Sequence, residues 1–208
     1  MMNNILTTAK LNWFNDGCCD VIYLDLWDKA QLNFHPELPD DQSWHYDHYE
    51  HQIGYDPTGE LFQTAADHLL NYHFYPTTII SPTSDFSLNN RRARLGDRII
   101  QRIHIFQLFG FPILDVVTMT EVTQLLDSPR QAMFGYTTVD THVEQGQWCA
   151  SVEWQNDDVV TLSINAVSRP VRTEPRRNYG YMRSLQKHAH RQGIDYFMTR
   201  VKTAVSAK

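Results

Sequence analysis

Between Trp148 and Ala166 the chain alternates with a period of two, and one turn interrupts it. Trp148, Ala150, Val152 and Trp154 share one parity, Asn156-Asp157-Asp158 forms the turn, and Val160, Leu162, Ile164 and Ala166 resume the pattern. Side chains on a strand alternate between its two faces, so this pattern predicts an antiparallel hairpin with one face on a core. Pro170 closes the strand region. Near Pro175 the period changes: Tyr179, Met182, Leu185, Ala189, Gly193, Tyr196 or Phe197, and Val201 recur at helical spacing. That stripe predicts a helix running towards Val205. Its one interior glycine, Gly193, marks a tolerated glycine, a break, a close approach or room for a ligand.

Earlier segments extend the same architecture. Arg98 to Phe109, Leu114 to Leu125 and Gln131 to Asp140 read as strands joined by turns at Gly110-Pro112 and Asp127-Ser128-Pro129. Leu61, Phe62, Ala65, Ala66, Leu69 and Leu70 form a helical stripe, with Thr58 as the expected N-cap and Pro76 as the stop. Thr77 to Ser81 reads as a short strand, and Ser81 to Gly96 as a polar loop. Residues 1–57 carry the weakest pattern. There Val21 to Trp27 reads as a strand, and Asn33 to Pro57, rich in Pro, Asp, His and Tyr, as an irregular loop. The expected fold is a single α+β domain: an irregular extension over 1–57, then a core over 58–205. In that core a curved antiparallel sheet grips a long C-terminal helix. A sheet cannot bury its concave face alone, and a helix laid across it leaves an interior space for side chains or an apolar ligand.

Composition narrows the partners. Net charge is −6, which disfavours nucleic acid, although Arg169 to Arg191 is locally basic. No apolar run is long enough for a membrane span, and no secretory signal is apparent. The 3 cysteines, with Cys18 and Cys19 adjacent, make neither a disulfide framework nor a common zinc pattern, so a cytoplasmic location is expected, with no cofactor and no metal. His45, His48 and His51 with Asp47 and Glu50 have the composition of a metal site, but no helix signal brings them together, and the bland reading is an exposed polar loop. Neither a phosphate-binding glycine loop nor a hydrolase or zinc-protease motif is present.

The segment Phe134-Gly135-Tyr136-Thr137-Thr138 through His142 and Gly146, then Ala166-Val167-Ser168-Arg169-Pro170, then Gln186, resembles the DUF1990 family, a domain of unknown function. That family shows a Y-G-T-L-x-x-H-x-x-x-G-E motif, a hydrophobic strand ending in S-R-P and a terminal helix. Thr137 stands where the family has glycine, and Gln147 where it has glutamate. The resemblance extends from Gly54 to about Val201. It implies kinship with START-like, helix-grip proteins, whose functions range from carriers to cyclases and hydrolases, so the fold does not select one.

Four residues are the candidates for a ligand site. His142 follows a strand end beside Asp140 and Glu144; it is either an acid or base near neutrality or a turn histidine bonded to backbone. Tyr136 offers a hydroxyl or simply packs. Arg169 binds an anion at a cavity mouth or pins the last strand. Gly193 leaves space or permits contact. Three functions remain open: binding of a hydrophobic or amphipathic small molecule between sheet and helix; an enzyme of the same fold (cyclase, hydratase or hydrolase) using His142 and Tyr136; or an interaction protein, including a homo-oligomer, docking through Trp44 to Tyr55.

Overall fold

The computed structural model describes residues 10–13, 29–35, 44–108, 111–140, 142–171 and 176–207. The strand expected over Val21 to Trp27 lies outside them.

The described strands are β1 (Lys10–Trp13), β2 (His45–Tyr55), β3 (Ile80–Ser84), β4 (Arg98–Leu108), β5 (Phe111–Asp127), β6 (Gln131–Thr138), β7 (Glu144–Trp154) and β8 (Val159–Pro170). Three helices accompany them: α1 (Glu60–Leu70), α2 (Asp85–Leu88) and α3 (Arg176–Ser206). All strands join one antiparallel sheet in the order β2-β8-β7-β6-β5-β4-β3, with β1 beside the first half of β5. The sheet is curved and open, and the long C-terminal helix lies against it, as the change of period predicts. No helix among the described residues is long and apolar enough to cross a membrane.

The β7–β8 hairpin follows the sequence closely. Val152 pairs with Leu162, Ala150 with Ile164 and Trp148 with Ala166, and all six are buried on the inner face. Phe134 of β6 and Val122 of β5 continue that face. Above it, Leu61, Phe62, Ala65, Ala66 and Leu69 of α1 and Ile194, Phe197 and Val201 of α3 complete the core. Gly193 lies at the closest approach: a Cβ built there would stand 2.5 Å from Phe74 Cε1 and 2.9 Å from Tyr75 Cδ1. Close contact explains this glycine, and α3 runs through it without a break.

The outer face is also partly covered. Ala30 and Leu32 pack on Ile100, Val117, Met119 and Val139, and Arg98 donates to the Ala30 carbonyl at 3.1 Å. Beside this patch Asp115 of β5 receives His104 Nδ1 at 2.7 Å and Arg102 at 3.3 Å, both from β4.

Three expectations give way. The loop expected over Asn33 to Pro57 contains the eleven-residue strand β2. The inward side chains of its first half meet polar groups of α3, with Asp47 paired to Arg183 and the Tyr49 and His190 rings 5.5 Å apart, while Ile53 near its end enters the apolar core. The polar loop expected over Ser81 to Gly96 begins as β3, an edge strand that tolerates Pro82, and continues into α2, which Ser84 and Ser87 close with a capping box. The N-cap of α1 is Gly59 rather than Thr58, and Asp56 carries its first turn with the shortest bonds, accepting from Gly59 N and Phe62 N, both at 2.8 Å, while the Thr58 hydroxyl accepts from Glu60 N at 3.4 Å.

Candidate active-site pocket between sheet and helix

A pocket of about 570 Å³ opens between the inner face of the sheet and the first half of α3. Two local features make the space. On the sheet, Gly146, Ala166 and Ser168 present almost no side chain. Gly146 cannot be enlarged, because a Cβ there would lie 2.1 Å from the Val167 carbonyl oxygen. On α3, the second half is drawn close at Gly193, Ile194 and Phe197, while Met182, Leu185 and Ala189 of the first half roof the pocket. Ile80, Ile103 and Val116 form an apolar wall opposite.

The polar groups sit on two sides. Deep in the sheet, Gln101 donates to Tyr72 Oη at 2.5 Å, and the Tyr136 hydroxyl bonds within the same group of Tyr72, Tyr75 and Gln101. Burial pushes all three phenols above their ordinary range. Tyr136 therefore serves as a wall with its hydroxyl engaged, and its ring stacks on Trp148 at 5.2 Å.

At the other side are His142 and Glu144. The buried His142 ring accepts the Glu144 backbone N–H on Nδ1 at 2.9 Å. An acceptor nitrogen carries no proton, so this contact places the ring proton on Nε2. That nitrogen makes no hydrogen bond among the described residues. Burial drives His142 down to about 4, which keeps it neutral at physiological pH, against an opposing effect of the bond to Glu144. Glu144 moves the other way: burial lifts it to about 7, opposed by Arg183 and reinforced by Asp47. A relay of side chains holds it. Arg183 of α3 makes a two-armed pair with Asp47 of β2 and donates to Gln186 Oε1 at 2.6 Å. Gln186 in turn donates to Ser168 Oγ at 2.8 Å and reaches Glu144 Oε2 at 3.5 Å. His190, also lining the pocket, is lowered to about 4 by burial.

Of the four sequence candidates, Tyr136 and His142 line this pocket. Arg169 does not. It follows the inward Ser168, so strand alternation turns it outward, where it lies over the Trp44 ring at 4.2 Å and donates to Gln145 Oε1 at 3.0 Å. Gly193 packs against aromatic rings and contributes no wall. Sequence reasoning passed over Glu144 as a turn residue. The signal was available: Glu144 shares the parity of Gly146 and Trp148 and therefore faces inward.

Other reactive groups are less suited to chemistry. Burial raises the Cys149 thiol to about 11, so it stays protonated. Ser81, His104 and Asp115 line up on the outer face at 2.9 Å and 2.7 Å, in the order of a nucleophile, base and orienting acid. Arg102 shares that Asp115, however, and the Ser81 hydroxyl donates to the Thr77 carbonyl at 3.0 Å, so the array ties β3, β4 and β5 together. No group of three or more His, Cys, Asp or Glu suited to a metal occurs among the described residues; His48 instead bonds Asn165 at 2.9 Å.

The fold and pocket define an α+β protein whose antiparallel sheet grips a C-terminal helix. Residues 29–195 match the family described as domain of unknown function (DUF1990), and the chain belongs to that family. The match begins ahead of β2, so it takes in residues that the sequence resemblance left out. In fold the chain is similar to a crystal structure, at 1.88 Å resolution, of the hypothetical protein jhp0584 from Helicobacter pylori. That likeness has a TM-score of 0.51 and 12% identity, and it covers 81% of this chain and 95% of the other. No curated protein matches the chain in sequence.

Proposed function

We propose that this protein binds a hydrophobic or amphipathic small molecule in the pocket between the sheet and α3, as a member of the START-like, helix-grip group. The observation that carries the reading is the pocket itself. Its volume of about 570 Å³ falls in the range of small-molecule sites, and apolar walls meet a few polar groups gathered at Glu144, His142 and Gln186. An apolar body would lie against Ile103, Met182 and Leu185, with a polar end directed to Glu144 and His142. Native mass spectrometry of purified protein, followed by organic extraction, tests the reading. The expected result is a bound small molecule or saturable uptake of the neutral fluorophore N-phenyl-1-naphthylamine. Failure of both would sink it. The enzymatic alternative draws support from one specific observation, the pairing of His142 with Glu144.

A further inference from the structure

His142 and Glu144 are two residues apart, line one pocket and are coupled through a backbone hydrogen bond. They present complementary atoms. Among the described residues, His142 offers an Nε2–H with no protein acceptor, and Glu144 offers a carboxyl restrained only by the long contact from Gln186. No arginine or lysine lines the pocket among the described residues, and Arg183, the nearest cation along the relay, is paired with Asp47. An anionic ligand therefore finds no countercharge there. A neutral ligand with a hydrogen-bond acceptor finds a donor and, beside it, a base.

We infer that the pocket acts on a neutral carbonyl compound with an apolar body, Glu144 removing a proton from the carbon next to the carbonyl while His142 Nε2–H holds the carbonyl oxygen. The inference rests on the small-molecule reading above and adds the reaction class. The Glu144 carboxylate takes the proton. The electron pair of the broken C–H bond becomes the new C=C bond, and the carbonyl π pair moves onto oxygen, where the Nε2–H stabilises it. Return of the proton to the same carbon gives exchange, and return to a conjugated carbon gives isomerisation. Nothing is oxidised or reduced and no co-reactant is consumed. A neutral imidazole paired with a carboxylate base is a combination that serves this chemistry elsewhere, because a buried carboxylate is a stronger base and a neutral N–H is a well-matched donor to an enolate oxygen. The lifted Glu144 and lowered His142 agree with those roles. Gln186 is a positioning residue for Glu144, since it reaches both Glu144 and Ser168.

The test uses 2-tetralone, a neutral apolar ketone, with the full-length protein in D₂O. Proton NMR reads two quantities: binding, from line broadening of the ketone, and loss of its C1 protons to deuterium beyond the buffer rate. The expected result is saturable exchange, reduced at least about 100-fold in Glu144→Gln and about 10-fold or more in His142→Asn, with ketone binding retained in both. Thermal melts confirm that each variant is folded. Cys149→Ser serves as a control outside the pocket lining, and its exchange rate should stay within about threefold of wild type. Binding without exchange overturns the inference and leaves the small-molecule reading standing. Exchange that survives Glu144→Gln also overturns it. Absence of both ketone binding and any extractable or fluorescent ligand removes the two together.

Discussion

Burial acts on Glu144 and His142 in opposite senses, and the same physics makes both into reporters of stability. Glu144 is lifted to about 7, so the folded state holds its proton more tightly than the unfolded chain. Its contribution is complete below the unfolded value near 4.5 and is lost as pH rises through about 7. Glu144→Gln is therefore expected to be more stable than wild type at pH 8, by about 3 kcal/mol, with the difference fading by about pH 4.5. Urea denaturation at pH 5 and pH 8 measures it, and equal effects at the two pH values would rule out the buried-acid account. His142 and His190 are lowered to about 4, so they contribute stability above 6.5 that is lost as pH falls towards 4. His190→Gln should flatten that acid limb, read as midpoint temperature between pH 6.5 and pH 4. Gly193 gives a prediction of different origin. Alanine there gains about 1 kcal/mol of helix propensity, but its Cβ would meet Phe74 and Tyr75 ring carbons at 2.5 and 2.9 Å. Overpacking of that kind costs about 1–3 kcal/mol, so Gly193→Ala should lower the urea midpoint rather than raise it.

At the scale of elements, legibility follows what each strand touches. β7 and β8 were readable because their inner residues meet an apolar core, which forces apolar alternation. β2 was not readable, because its inward Asp47 and Tyr49 meet Arg183 and His190 of α3. A polar strand against a polar stretch of helix leaves no hydrophobic period to detect. β3 was hidden in part by Pro82, which an edge strand accommodates and a central one does not. The site divides in the same way. His142 and Tyr136, which stand in the family-like motif, line the pocket, and so does Glu144, which the motif does not single out, while Asp47 and Arg183, 136 residues apart, belong to an ion pair that no local pattern reveals. That pair holds β2 to α3 with both side chains largely buried, at 19% and 9% exposure. Removing one partner leaves the other charge poorly compensated. Asp47→Asn should therefore cost about 1–3 kcal/mol. The Asp47→Asn, Arg183→Met double variant should recover part of that loss in a double-mutant cycle, and strict additivity would show that the pair is not coupled.

For the molecule as a whole, the location of the pocket follows from the unequal packing of α3. Its second half is fixed by Gly193, Ile194, Phe197 and Val201 against Phe74 and the core. Its first half rests on a sheet region kept low by Gly146, Ala166 and Ser168, and the Arg183–Asp47 pair and Gln186 anchor it at the margin. The helix is thus held at two places and spans the space between them. Filling that span should separate binding from folding. Ala189 lies on the pocket side of α3, half-buried, between Leu185 and the close contact at Gly193. A tryptophan there would occupy pocket volume without displacing the packed second half of the helix. Ala189→Trp is therefore expected to weaken N-phenyl-1-naphthylamine uptake at least about tenfold while leaving the midpoint temperature unchanged or slightly raised, because filling an existing cavity adds apolar contact. Fluorescence titration and thermal melting on the same sample decide it. A melt lowered by many degrees would mean that the pocket is needed for packing, and uptake left intact would place the probe elsewhere on the molecule.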